Sequence, residues 1–145
     1  MRIYLDSCIV IYAMEGVQPV RTTVRQKHVP DANRPLSTVF CALTRLVCRI
    51  GSKQHQKTTL LDQSDQFFST PGFIRKECDT AVFDLATDLR TAHDIKTPGT
   101  LHLADALASG FHEFWTNDHR MADAAGTQLQ VVAFIDHVGA PPSEL

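Results

Sequence analysis

Apolar positions along the chain recur with two periods, and the alternation of those periods predicts an α/β protein. Ile3 and Leu5 alternate with Arg2 and Tyr4, a period of two that predicts a strand over Arg2 to Leu5. Asp6-Ser7 follows as an acidic turn, and the apolar run from Ile9 to Met14 predicts a short helix. The next stretch, Glu15 to Arg34, carries Gly16, Pro19 and Pro30 among basic residues and reads as a connecting segment of limited regularity. Leu36, Val39, Phe40, Leu43, Leu46, Val47 and Ile50 then recur at helical steps, which predicts one helix with a buried face, ended by Gly51.

A second helix through Leu60, Leu61, Phe67 and Phe68 is expected to stop at Pro71-Gly72, with a short strand at Phe73-Ile74. Val82, Leu85, Ala86 and Leu89 mark a further helix reaching about Ala92. Thr97-Pro98-Gly99-Thr100 opens a helix through Ser109 with Gly110 as its stop. Phe114-Trp115-Thr116 and Gln130 to Ile135 read as the last strands. Short strands alternating with helices predict a mostly parallel sheet covered by helices on both faces.

Composition narrows the function classes. With 145 residues the chain is expected to form one domain spanning positions 1–145, and 43% hydrophobic residues suffice for a core without disulfides or structural metals. The 14 basic and 16 acidic side chains leave a formal charge of −2, so any nucleic-acid partner needs a local basic patch. Apolar runs such as Cys8 to Met14 fall far below the roughly eighteen residues that span a bilayer, so neither a transmembrane helix nor a signal peptide is expected. Cys8, Cys41, Cys48 and Cys78 form no CxxC pair and are read as core or near-core thiols in a reducing cytoplasm.

In open α/β sheets, reactive groups gather at the carboxyl ends of strands. Asp6 directly follows the first predicted strand, and Asp118 stands two residues after the strand ending at Thr116. Ser7, Thr116 and Asn117 are short polar neighbours able to position a carboxylate, a water or a phosphate oxygen. Two carboxylates with waters suit Mg²⁺ or Mn²⁺. The same aspartates would serve equally well as turn or helix-capping residues, and position alone does not separate the readings.

Three motifs together resemble a known family. Tyr4-Leu5-Asp6-Ser7 before an apolar helix, Lys96-Thr97-Pro98 leading into Leu101-His102-Leu103-Ala104, and Phe114-Trp115-Thr116-Asn117-Asp118 look like the PIN-domain ribonucleases, above all the VapC-type toxins of bacterial toxin–antitoxin pairs. Their order and spacing extend the resemblance over nearly the whole chain. It implies a PIN-like three-layer α/β sandwich around a four- or five-stranded, mostly parallel sheet. It also implies hydrolysis of RNA by a water activated on Mg²⁺ or Mn²⁺ held by an acidic cluster, an antitoxin partner and a homodimer.

The family pattern is incomplete here. Where relatives carry a Glu on the helix after the second strand this chain has Val47, and where they read Thr-Pro-Asp it has Thr97-Pro98-Gly99. Asp6 and Asp118 remain as catalytic and metal-binding acids. Asp105, in Leu103-Ala104-Asp105-Ala106-Leu107, is a third candidate acid, but it lies about 120° around the helix from position 99 and is expected to face solvent. His102 lies about 60° from position 99, which turns it toward the acidic pocket, either as packing or as an acid–base group. Arg45, Arg49, Lys53 and Lys57 recur at four-residue steps, and Arg21, Arg25, Lys27 and Arg34 form a second basic stretch; RNA contact, antitoxin contact and simple solvation all fit them. With two acids missing, the expectation is a nuclease of impaired activity. The alternative is a catalytically silent PIN fold that binds an antitoxin or RNA.

Overall fold

The computed structural model describes residues 2–15, 21–22, 37–71 and 73–133. Five strands, β1 (Arg2–Leu5), β2 (Ser37–Cys41), β3 (Phe73–Lys76), β4 (Glu113–Thr116) and β5 (Gln130–Ala133), form one sheet in the order β3-β2-β1-β4-β5. Every pairing is parallel. Among the helices are α1 (Ser7–Glu15), α2 (Ala42–Gln54), α3 (Thr58–Phe68), α4 (Thr80–Ala92), α5 (Thr97–Ala108) and α6 (Arg120–Ala125). Arg25, Lys27 and Arg34 of the second basic stretch, and Ile135 of the last strand, lie outside the described residues.

The period-two pattern of the strands decides which layer each residue joins. Ile3, Leu5 and Trp115 face the layer of α1, with Cys48 of α2 and Phe67 and Phe68 of α3 completing that core. Tyr4 and Phe114 face the opposite layer, where they pack with Leu103 and Ala106 of α5 and Met121 and Ala125 of α6. The Tyr4 and Phe114 rings stack at 5.7 Å between centroids. The result is the expected three-layer α/β sandwich. Gly110, at φ +65°, takes the left-handed conformation that ends α5, as its position after the helical pattern required.

The sequence reading fails at β2. The apolar series from Leu36 predicts one helix, whereas Ser37–Cys41 is a strand inserted between β1 and β3, and the helix starts only at Ala42. A short buried apolar run carries no period that distinguishes strand from helix, and here sheet pairing through Ile3↔Thr38 and Val39↔Ile74 won. Gly51 does not stop α2, which continues to Gln54. The buried stripe of α2 is Thr44, Cys48 and Ser52, while Leu46 is 56% exposed and Val47 is only partly buried rather than a core residue. The short helix α6 was also missed, since only Met121 and Ala125 of its six residues are buried.

The chain leaves β1 toward β2 and β3 on one side, then returns to build β4 and β5 on the other. The order therefore reverses between β1 and β4, and the carboxyl ends of these two strands border the crevice that such a reversal opens. Among the described residues no helix is long and apolar enough to cross a membrane.

Candidate metal centre

Asp6 and Asp118 stand at that reversal. The Asp6 N–H donates to the Trp115 carbonyl at 2.9 Å, which fixes the residue as β1 runs out beside β4. Its carboxylate is buried and accepts twice, from the Ser7 N–H at Oδ1 (2.7 Å) and from the Thr116 hydroxyl at Oδ2 (2.7 Å). Thr116 Oγ1 in turn accepts the Asp118 N–H at 3.0 Å. One hydroxyl thus joins both aspartates. The Cys8 thiol is a weaker third donor, 3.7 Å from Asp6 Oδ2.

Asp118 is held from its other side. Arg120 donates to it through Nε (2.9 Å, to Oδ1) and Nη2 (2.7 Å, to Oδ2), and the Arg120 N–H adds a third bond at 3.1 Å. Burial pushes the Asp118 carboxyl up, but the bonds and charge of Arg120 outweigh it and hold the group below its ordinary 3.8. Beside Asp118, Asn117 donates its side-chain N–H to the Tyr12 hydroxyl at 3.3 Å and leaves Oδ1 buried without a hydrogen-bond partner.

His102 reaches the site from α5 and is fully buried. Its Nε2 lies 3.0 Å from Ser7 Oγ and 4.0 Å from Asp6 Oδ1, while Nδ1 lies 3.2 Å from the Tyr4 hydroxyl and 3.6 Å from Cys41 Sγ. Burial alone would lower the imidazole pKa; the Cys41 contact and the negative charges of Asp6, Cys41 and Asp105 outweigh it and raise the pKa above 6.5. Cys41 shows the reciprocal effect: burial raises its thiol, but His102 brings it down to about 6. The helical angle from position 99 therefore placed His102 correctly.

Asp105, against the expectation from the same helical angle, is fully buried instead of facing solvent. Helix α5 is covered on nearly every side, with Thr100, His102, Leu103, Ala104, Asp105 and Ala106 all buried, so it has no wide solvent face for a carboxylate to occupy. Lys76, at the end of β3, pairs with Asp105 Oδ1 and also donates to Ser109 Oγ. No contact joins Asp105 to Asp6 or Asp118 among those described; it neighbours Cys41 and Cys78.

Gly99 and Val47, where the resembled motifs have acids, are differently placed. A Cβ at Gly99 would lie 2.4 Å from Met121 Cε and 3.3 Å from Ile95 Cγ2, so the space an aspartate would use is filled by a buried thioether. Val47 stands partly exposed on α2. In the basic row, Arg45 and Arg49 are on one uninterrupted helix and both reach Asp65 of α3, while Lys53 and Lys57 are exposed. Sequence reasoning missed Arg120, Tyr4, Lys76 and the Cys41 contact. Arg120 carried a local signal, two residues from Asp118; Cys41 was hidden by the misread β2, and Tyr4 and Lys76 meet His102 and Asp105 only through long-range contacts with α5.

Asp6, Asp118 and Asn117, whose Oδ1 is unpartnered, offer oxygen donors at the ends of β1 and β4, and oxygen donors suit a hard cation such as Mg²⁺ or Mn²⁺.

No family model matches the sequence, and no curated protein matches it. Solved structures do. A chain of VapBC2 from Rickettsia felis, solved bound to a DNA fragment from its promoter, superposes with a TM-score of 0.71 at 13% identity over 93% of this chain and 100% of that one. A toxin–antitoxin complex from Klebsiella pneumoniae gives 0.69 at 17% identity over 93% and 99%. FitAcB from Neisseria gonorrhoeae gives 0.66 at 15% identity over 89% and 95%. At these identities the likeness establishes the fold, which is the PIN-like α/β sandwich that the sequence motifs resemble.

Proposed function

We propose that this chain is a VapC-like endoribonuclease, the toxin of a toxin–antitoxin pair, acting in the cytoplasm with Mg²⁺ or Mn²⁺ held by Asp6 and Asp118. The observation that carries the reading is the Thr116 hydroxyl joining both aspartates at the crevice where the strand order reverses. The cation, when bound, supplies Lewis acidity toward a phosphate oxygen and a lowered pKa for water. Asp6 offers a carboxylate already oriented by Ser7 and Thr116, so little rearrangement precedes cation capture. Ser7, in contact with His102, keeps that orientation from the other side. Asp118 would be the second carboxylate to hold the cation, and its partner Arg120, half-exposed, would be placed to pair with an RNA phosphate. Asn117 Oδ1 is free to accept a hydrogen bond from water at the site or from the substrate.

Activity is reduced relative to a complete acidic cluster, because Val47 and Gly99 supply no charge to a second cation. The toxin–antitoxin complexes of like fold support an antitoxin partner for this chain, and we extend the reading to a homodimer of single-domain protomers spanning residues 1–145.

The test is cleavage of a mixed RNA pool with Mn²⁺ or Mg²⁺, by the parent and by Asp6→Asn. Metal-dependent products from the parent that vanish in the variant support the assignment; products that persist in Asp6→Asn, or none from the parent with bound Mn²⁺, overturn it. The second reading, a silent fold that captures an antitoxin or RNA, is favoured by one observation: Met121 occupies the space of the missing acid at position 99. Binding of RNA or antitoxin without cleavage would select it.

A further inference from the structure

We propose that Cys41, Cys78 and Asp105 form a separate site for a thiophilic divalent cation of the Zn²⁺ class. One ligand atom from each, two thiol sulfurs and a carboxylate oxygen, lie within 4.8 Å of one another. Around a tetrahedral zinc with bonds of about 2.0–2.3 Å, ligand atoms stand roughly 3.5–4 Å apart, so inward shifts of about 1 Å or less would close the triad. The fold assembles it from three elements. Cys41 ends β2 opposite Lys76 of β3, Cys78 follows two residues beyond that strand, and Asp105 comes from α5.

A second, independent feature points to a cation. Asp105 is fully buried, and its Oδ2 has no hydrogen-bond partner, while Oδ1 is taken by Lys76. A buried carboxylate oxygen left bare is costly, and a cation bonded to Cys41 and Cys78 would satisfy it. Charge balances as well. Two thiolates and the Asp105 carboxylate carry three negative charges, which a divalent cation and the Lys76 ammonium neutralise together. The burial of Cys41 and Asp105 makes that neutrality a requirement.

Access is provided by Cys78, which is partly exposed and lines a surface groove with Leu43, Leu46, Phe83 and Leu101. Sulfur ligands select a soft ion, so this site and the oxygen ligands of Asp6 and Asp118 take different metals. Three protein ligands leave a fourth position for water. Bound there, the ion ties the ends of β2 and β3 to α5 on the Cys41 side of His102. The proposal does not depend on nuclease activity.

The test is a Co²⁺ titration of the full, reduced chain followed by absorption. One equivalent should produce thiolate-to-cobalt charge-transfer bands and the intense visible bands of tetrahedral cobalt, displaced by Zn²⁺ and unaffected by Mg²⁺. Cys78→Ser, at a partly exposed position, and Asp105→Asn should each weaken binding roughly tenfold or more, with circular dichroism confirming that each variant is folded. Asp6→Asn should leave the spectrum unchanged. Absence of the charge-transfer bands at saturating cobalt, their persistence in Cys78→Ser, or their loss in folded Asp6→Asn would overturn the site, and none of these outcomes bears on whether RNA is cleaved.

Discussion

Arg120 closes on both carboxylate oxygens of Asp118, with Nε at 2.9 Å and Nη2 at 2.7 Å. A forked guanidinium of this kind stabilises the ionised carboxylate and at the same time competes with any cation that would bind it. The pair is half-exposed on the arginine side, so the competition is modest.

Removing the competitor should therefore strengthen metal binding. Arg120→Ala is expected to tighten Mn²⁺ binding about three- to fivefold, the equivalent of up to ~1 kcal/mol for an exposed pair. Calorimetric titration of both proteins checks this, and unchanged or weaker binding would remove Arg120 from the account of the site.

Thr116 is buried and serves both aspartates, as donor to Asp6 and acceptor from the Asp118 N–H. Thr116→Val keeps the shape and deletes the hydroxyl, leaving Asp6 Oδ2 with only the weak Cys8 contact. A loss of about 2 kcal/mol in urea unfolding is expected, together with weaker Mn²⁺ binding. Thr116→Ser should recover most of both.

Lys76 neutralises a fully buried carboxylate. In metal-free protein, Lys76→Met should cost on the order of 3 kcal/mol, below the full cost of breaking a buried pair because the lysine is one-third exposed. The double variant Lys76→Met with Asp105→Leu should regain much of that loss, since it removes both charges together. Equal losses in the single and double variants would contradict the pairing.

Cys48 gives a pH dependence. Burial first, then the charges of Asp6 and Glu15, push its thiol above the ordinary 9.0. A folded-state pKa above the unfolded one contributes stability that is complete below pH 9 and declines as the pH rises further, because only the unfolded chain ionises readily. The urea midpoint should fall above pH 9 with a steeper slope in the parent than in Cys48→Ala, even though the variant starts lower for lack of the buried sulfur.

Restoring the missing acids tests the silent reading. Gly99→Asp alone must push Met121 aside, and a net loss of about 1 kcal/mol is expected by thermal unfolding, the strain exceeding the gain from replacing a helical glycine. Gly99→Asp combined with Val47→Glu should raise metal-dependent RNA cleavage. If the folded double variant remains inactive, the two absent carboxylates are not what limits this chain.

How much of this was legible in the sequence follows from the range of the forces involved. Local pattern determined β1, β4, the Gly110 stop and the helices around them, because alternation, capping and chain reversal are set by residues a few positions apart. It also placed Asp6 and Asp118 at strand ends, and the helical angle carried His102 toward them. The identity of neighbours, by contrast, was settled by long-range packing. Val39 and Phe40 fit a helix or a strand until β1 and β3 close around them, and Asp105 looks solvent-facing until α5 is covered and Lys76 reaches it. Cys41 and Cys78 share no local motif; parallel pairing of β2 and β3 brings them together, an effect of sheet register that sequence spacing does not encode.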